Sequence, residues 1–150
     1  MNNKNDILKE LIKNQRKNIK VNDKLSLSDM NRISNNLEQS ILGQNECSIW
    51  KGYITNNNST NRSKYINFYF NHKKTALHRL LYINYVDKLE KNEYIKYTCK
   101  NKGICCNINH LKKIKKNNLK KIKKNNTKIK KINNNKNNSE IIANNIVSFD

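Results

Sequence analysis

The run Cys99-x5-Cys105-Cys106-Asn107-Ile108-Asn109-His110 does most to limit what this chain can fold into. Zinc is held by about four Cys or His ligands in a tetrahedron, and short spacings of this kind deliver two or three of them from one knuckle. Cys99, Cys105 and His110 supply three, and Cys47, just before Trp50, is the natural fourth from a distant segment. Cys106 is the remaining thiol and an alternative to Cys105, because adjacent side chains point in different directions. Hydrophobic residues are only 35% of the chain and concentrate in its middle. A core of roughly 70–80 residues buries little apolar surface and often needs a staple. Structural zinc contributes on the order of 10–16 kcal/mol to folding, which exceeds the net stability of an ordinary small domain. His72 and His78 are not at ligand spacing from the cluster, so packing or surface hydrogen bonding is expected of them.

Charge narrows the partner. The chain carries 31 Lys+Arg against 11 Asp+Glu, a formal net charge of +20 over 150 residues. Such an excess favours a polyanion: DNA first, RNA second. From Lys112 to Lys136 there are many lysines and no acids. Asparagine is about one residue in five and proline is absent, a bias that A/T-rich codons also produce. No apolar run is long enough for a transmembrane helix. The start MNNKNDILKE lacks a hydrophobic signal core, so an intracellular, reducing location is expected, where cysteines are more often metal ligands than disulfides. A membrane-surface role is disfavoured because the basic repeat lacks Trp and Phe anchors.

Three regions follow: an N-terminal helical region (1–44), a zinc-binding domain (45–118) and a basic low-complexity tail (119–150). Ile7, Leu8, Leu11 and Ile12 predict a helix from Asp6 to about Ile19. Ser26 or Ser28 can cap a second helix through Met30, Ile33, Leu37 and Ile41, with Gly43 as its stop. Trp50 to Ile54 and Tyr65 to Phe70 read as strands around a polar loop, 56–62. Lys74 to Tyr85 reads as a helix, and Tyr94 to Thr98 as a strand entering the cysteine cluster. From Leu111 the octad Leu-Lys-Lys-Ile-Lys-Lys-Asn-Asn recurs at Leu119, with a decayed copy from Thr127. This segment is expected to be a basic helix that orders on nucleic acid, or a disordered tail until a partner binds. A low-complexity spacer (133–138) and a short apolar end (140–149) complete the chain.

The ordered set Cys47-x2-Trp50-x-Gly52, Tyr65, His78-Arg79-Leu80-Leu81-Tyr82, Cys99 and Cys105-Cys106-Asn107-Ile108-Asn109-His110-Leu111 resembles the HNH (His-Me finger) nucleases with a zinc-binding loop. These occur among homing endonucleases and in phage and giant-virus genomes. The resemblance spans about 65 residues. It places Cys105 rather than Cys106 on zinc, with His110, Cys99 and Cys47, and sets Ile108 where the family usually has proline. It implies an α+β fold: a small zinc-stapled ββα-metal domain flanked by N-terminal helices and the basic tail. In such a site a histidine activates water and an asparagine holds Mg2+, which stabilises the leaving oxygen of the scissile phosphate.

Here the chain departs from the family. The base position, two residues before Cys99, is Tyr97. A phenol titrates near pH 10 and is a poor base at neutral pH. The Mg2+ ligand position falls at Leu119, so Asn118, one residue away, is the candidate, with Asn117 two away. The expectation is a zinc-binding, nucleic-acid-binding HNH-like protein that is catalytically degenerate, located in a host cytoplasm or nucleus, or in a virion. An active Mg-dependent endonuclease and a structural ribonucleoprotein component are the alternatives. Lys112, Lys113, Lys115, Lys116, Lys120, Lys121, Lys123 and Lys124 are expected to neutralise phosphates, with Arg79 adding a contact from the folded domain.

Overall fold

The computed structural model describes residues 3–116. The expected spacer and apolar end, Asn118, and the lysines from Lys120 onward lie outside them. Helices α1 (Lys4–Asn14), α2 (Leu27–Asn35) and α3 (Leu77–Tyr85) accompany two small sheets. One pairs β1 (Asn67–Phe70) with β2 (Lys73–Ala76), and the other pairs β3 (Glu93–Tyr97) with β4 (Leu111–Lys115). The fold class is α+β.

The N-terminal helices are built on i, i+4 apolar pairs and one good cap. Ile7 and Leu11 are one turn apart on α1 and fully buried. The helix ends at Asn14 rather than near Ile19, because the Arg16 N–H donates to the Asn84 carbonyl (2.8 Å) and its guanidinium to that of Ile83 (2.7 Å). Of the two candidate caps for α2, Ser26 takes the role. Its hydroxyl accepts from the Asp29 N–H while the Asp29 carboxylate accepts from the Ser26 N–H, a capping box. This second helix also stops early. Leu37 and Ile41 are buried from the turns beyond it, where the Asn36 carbonyl accepts from the Lys51 N–H (2.8 Å). The expected boundary between 44 and 45 therefore falls inside one hydrophobic cluster. That cluster joins Ile7, Leu11, Ile33 and Ile41 to Trp50, Phe68, Leu77 and Leu81.

Asn84 is the polar tie across that cluster. Fully buried on α3, its side-chain oxygen accepts from the Leu25 N–H (3.0 Å) and the Gln15 amide (2.9 Å). Its nitrogen donates to the carbonyls of Asp23 (2.9 Å) and Leu80 (2.8 Å). Both donor hydrogens and both acceptor positions are satisfied, as a buried amide requires.

Three further expected elements differ. Trp50 to Ile54 is not a strand; only Ile49 and Thr55 form isolated bridges, to Cys105 and Tyr65. Gly52 lies against the Trp50 indole so closely that a Cβ would come within 2.6 Å of its Nε1, so the chain bends there. Lys73–Ala76 is strand β2 rather than the first turn of a helix. Asn71 and His72 both take positive φ (48° and 63°), forming a tight hairpin turn that registers Phe70 opposite Lys73 and Asn67 opposite Ala76. Finally, Leu111–Lys115 is neither helical nor disordered. It is β4, with Leu111 buried against Tyr82 and Ile95.

Candidate metal centre

The segments on either side of Cys47 and the knuckle around Cys105 are laced together by backbone hydrogen bonds. Cys106 N–H donates to the Ser48 carbonyl (2.7 Å), Trp50 N–H to Ile104 (3.0 Å) and Ile108 N–H to Ile41 (2.9 Å). On the other side, Thr98 N–H donates to the His110 carbonyl (2.9 Å), fixing the end of β3 to the start of β4. Asn107, fully buried, closes the arrangement. Its amide nitrogen donates to the carbonyls of Gly43 (2.7 Å) and Glu46 (2.6 Å), and its oxygen accepts from the Asn109 N–H (2.9 Å).

This lacing brings Cys47, Cys99, Cys105 and His110 together, their ligand atoms all within 4.8 Å of one another. His110 Nδ1 lies 3.5 Å from the sulfurs of both Cys47 and Cys105. A regular tetrahedron with metal–sulfur bonds of about 2.3 Å and a metal–nitrogen bond of about 2.0–2.1 Å sets sulfur and nitrogen about 3.6 Å apart. The four residues fit that geometry and could hold a metal ion such as zinc. Cys106 is not among the four that come together; its side chain is buried in the hydrophobic cluster instead.

The thiols are unequal. Burial raises Cys47, but hydrogen bonds from the Asn101 side chain and backbone and from Cys105 and Cys99 outweigh it and hold the thiol below its ordinary value. At Cys105 burial dominates and pushes the thiol up to about 12, against the opposing N–H of Asn107, which lies 3.4 Å from the sulfur. A divalent cation would reverse that balance by favouring thiolates.

Tyr97 ends β3, two residues before Cys99. Burial raises its phenol further above the ordinary value, and the thiols of Cys106, Cys105 and Cys99 add to the shift. Its ring lies 5.3 Å from that of His78, tilted by 46°. Burial and the Arg79 charge lower the His78 imidazole to about 4, so it is neutral at pH 7. Neither this neighbour nor the roles of Asn101 and Asn107 were signalled by ligand spacing. A polar residue inside a Cys/His knuckle is the cue that could have marked Asn107.

The lysines differ in availability. Lys112, Lys115 and Lys116 are exposed. Lys113 is not a free cation. Its ammonium lies 2.8 Å from the Asp87 carboxylate and 3.6 Å from that of Glu93, and it also donates to the Lys88 carbonyl. Asp87 is held below the usual carboxylate range by that same hydrogen bond. No described helix is long and apolar enough to cross a membrane.

The chain is 53% identical over 113 residues to an uncharacterized protein, R328, of Acanthamoeba polyphaga mimivirus. The match covers 75% of this chain and 33% of that protein, so the chain spans about a third of the relative's length. No family model matches the chain, and no solved structure does.

Proposed function

We propose that this chain is a zinc-stapled nucleic-acid-binding protein of the HNH type that has lost cleavage activity. The observation that carries the reading is the ligand cluster, with Cys99, Cys105 and His110 from between β3 and β4 and Cys47 from before β1, and Tyr97 at the position where the family has its catalytic base. Three thiols and an imidazole with a 3.5 Å sulfur–nitrogen spacing suit zinc better than the oxygen-preferring Mg2+ or Ca2+. The ion would act as a structural staple, since four protein ligands leave no open position for water. A half-buried phenol with its pKa raised is ionised even less at neutral pH than a free one and so serves poorly as a base there, and general-base catalysis is typically worth about 10²–10⁴-fold. Exposed lysines on β4 and the lysine-rich repeat beyond it would contact phosphates without reading sequence.

Metal analysis of the purified protein tests the staple: one zinc per chain is expected, lost in Cys99→Ser and His110→Ala. Binding to a short duplex should weaken with salt at a log–log slope of about 0.9 per phosphate contacted. Incubation with plasmid and Mg2+ should give no nicking. Efficient nicking abolished by Asn118→Ala would establish the endonuclease reading instead, and preference for structured RNA at matched salt would favour the ribonucleoprotein one.

A further inference from the structure

We infer that the cleft between β3 and the loop at Lys64 and Tyr65 is a seat for one unpaired nucleotide, its phosphate on lysines and its base against aromatic rings. The inference rests on the nucleic-acid reading above and names where a strand would be held by the folded domain rather than by the tail. The cleft has a volume of about 440 Å³, within the range of about 300–1,000 Å³ that small-molecule sites occupy.

The walls are fixed by backbone. Gly103 (φ +86°) packs so closely on the Lys64 carbonyl that any side chain there would run into it. Tyr65 and Thr55 exchange backbone hydrogen bonds of 2.9 and 3.3 Å, which hold the same loop from its other side. Opposite stands β3, from Tyr94 to Tyr97, and His78 of α3 contributes its ring beside Tyr97. A preformed cleft of this kind asks little ordering of the protein when it is filled.

The chemistry of the lining selects the occupant. Lys64, Lys96 and Lys102 border the cleft, all three exposed, and no carboxylate does. None of the three is in an ion pair among the described residues. Interleaved with them are Tyr65, Tyr94 and Tyr97. Cations alone would take any phosphate. Cations set among aromatic rings suit a phosphate carrying a flat heterocycle, the combination by which single strands are held. The base must be unpaired, because a stacked base pair cannot offer its face to a side chain. Two other depressions among the described residues lack the combination. The one bounded by Gly52, Tyr53 and Asn56 carries no ionised group, and the one at Arg16 and Lys20 also presents Asp23 and Glu90.

The experiment uses the full chain with its metal. Probes are a labelled 12-nucleotide single strand, as DNA and as RNA, the duplex of the same sequence, and adenosine monophosphate. Tyr94→Ala should lower single-strand affinity roughly 5- to 100-fold, the loss expected for one stacking contact, with Tyr94→Phe close to wild type and duplex affinity nearly unchanged. Lys96→Ala, an exposed position, gives the same test without a folding risk and should also act selectively on the single strand. Adenosine monophosphate that displaces the strand and shifts the His78 ring resonances, leaving those of His72 still, would support the seat with a free nucleotide as sufficient ligand. Strand binding that the mononucleotide cannot displace, yet Tyr94→Ala weakens, would support it with the strand as ligand. If single strand and duplex bind and both variants leave them unaffected, or lower them equally, the seat is refuted while the nucleic-acid reading stands. If neither nucleic acid binds, both fall.

Discussion

Replacing Asn107 by Ala removes three hydrogen bonds at once, to Gly43, Glu46 and Asn109, from a side chain with no exposure. Each is worth about 1 kcal/mol net, so about 3 kcal/mol of stability should go. The Gly43 carbonyl keeps a second donor, the Asn109 side chain at 3.1 Å, but the Glu46 carbonyl loses this one just before Cys47. The consequence reaches the metal site, because these bonds fix the segment that carries one ligand against the knuckle that carries two. Substituting groups that orient metal ligands typically lowers metal affinity by about 10–100-fold. Asn107→Asp should be at least as damaging, since it would turn a carboxylate oxygen toward two carbonyl oxygens inside the fold. Competition against a chromophoric zinc chelator gives the affinity, and thermal unfolding gives a melting temperature expected to fall by about 10 °C. An Asn107→Ala protein with wild-type zinc affinity and an unchanged Tm would refute the reasoning that the 43–46 segment is set by this amide.

Other outcomes can be checked beside it. Cys105→Ser should abolish stoichiometric zinc, whereas Cys106→Ala should keep it and lose only packing stability; equal zinc loss in both would place the ligand wrongly. His78, lowered to about 4 in the fold from about 6.5 unfolded, binds fewer protons when folded. It costs the fold nothing above about pH 6.5, where both states are neutral, and destabilises it progressively as pH falls to about 4, by about 3 kcal/mol over that window. His78→Phe should flatten that limb relative to wild type in unfolding titrations run at several pH values. Asn84→Ala removes four hydrogen bonds and leaves the buried Leu25 N–H without its acceptor, so a loss of about 4 kcal/mol and faster proteolysis between residues 15 and 25 are expected. Lys113→Ala should leave the salt slope of duplex binding unchanged, because its ammonium already faces Asp87 and Glu93; a slope reduced by about one would contradict that pairing.

The ligand set was legible because its information is local. Three of the four residues fall within twelve positions, and the chemistry of thiol and imidazole limits what they can do. The fourth, Cys47, followed from its place before Trp50 in a distant segment and from the family resemblance, and the fold brings it to the other three. Strand β4 was not legible. Two lysines on either side of Ile114 read as a helical face, and only the buried partner surface of Tyr82 and Ile95 makes Leu111 the start of a strand. Tertiary pairing overrode local periodicity there. The same holds at Asn71-His72, where neither residue is a glycine and the hairpin that displaces the start of α3 has only a weak sequence signal. Asn84 and Asn107 were hidden for a different reason. In a chain with asparagine at about one residue in five, the two that are fully buried and fully bonded look like the rest.

That last point bears on how the molecule is held together. The cluster of apolar residues joins the N-terminal helices to α3, yet its polar interior is tied by two amides, each at a seam. Asn84 joins residues 15–25 to α3, and Asn107 joins residues 43–46 to the knuckle. The candidate metal ligands cross the second seam, since Cys47 lies on one side and Cys105 and His110 on the other. A bound ion and Asn107 would therefore constrain the same pair of segments, so their contributions should be coupled rather than additive. The metal should recover part of what Asn107→Ala loses and nothing of what Asn84→Ala loses, a contrast that packing of the shared core alone would not produce.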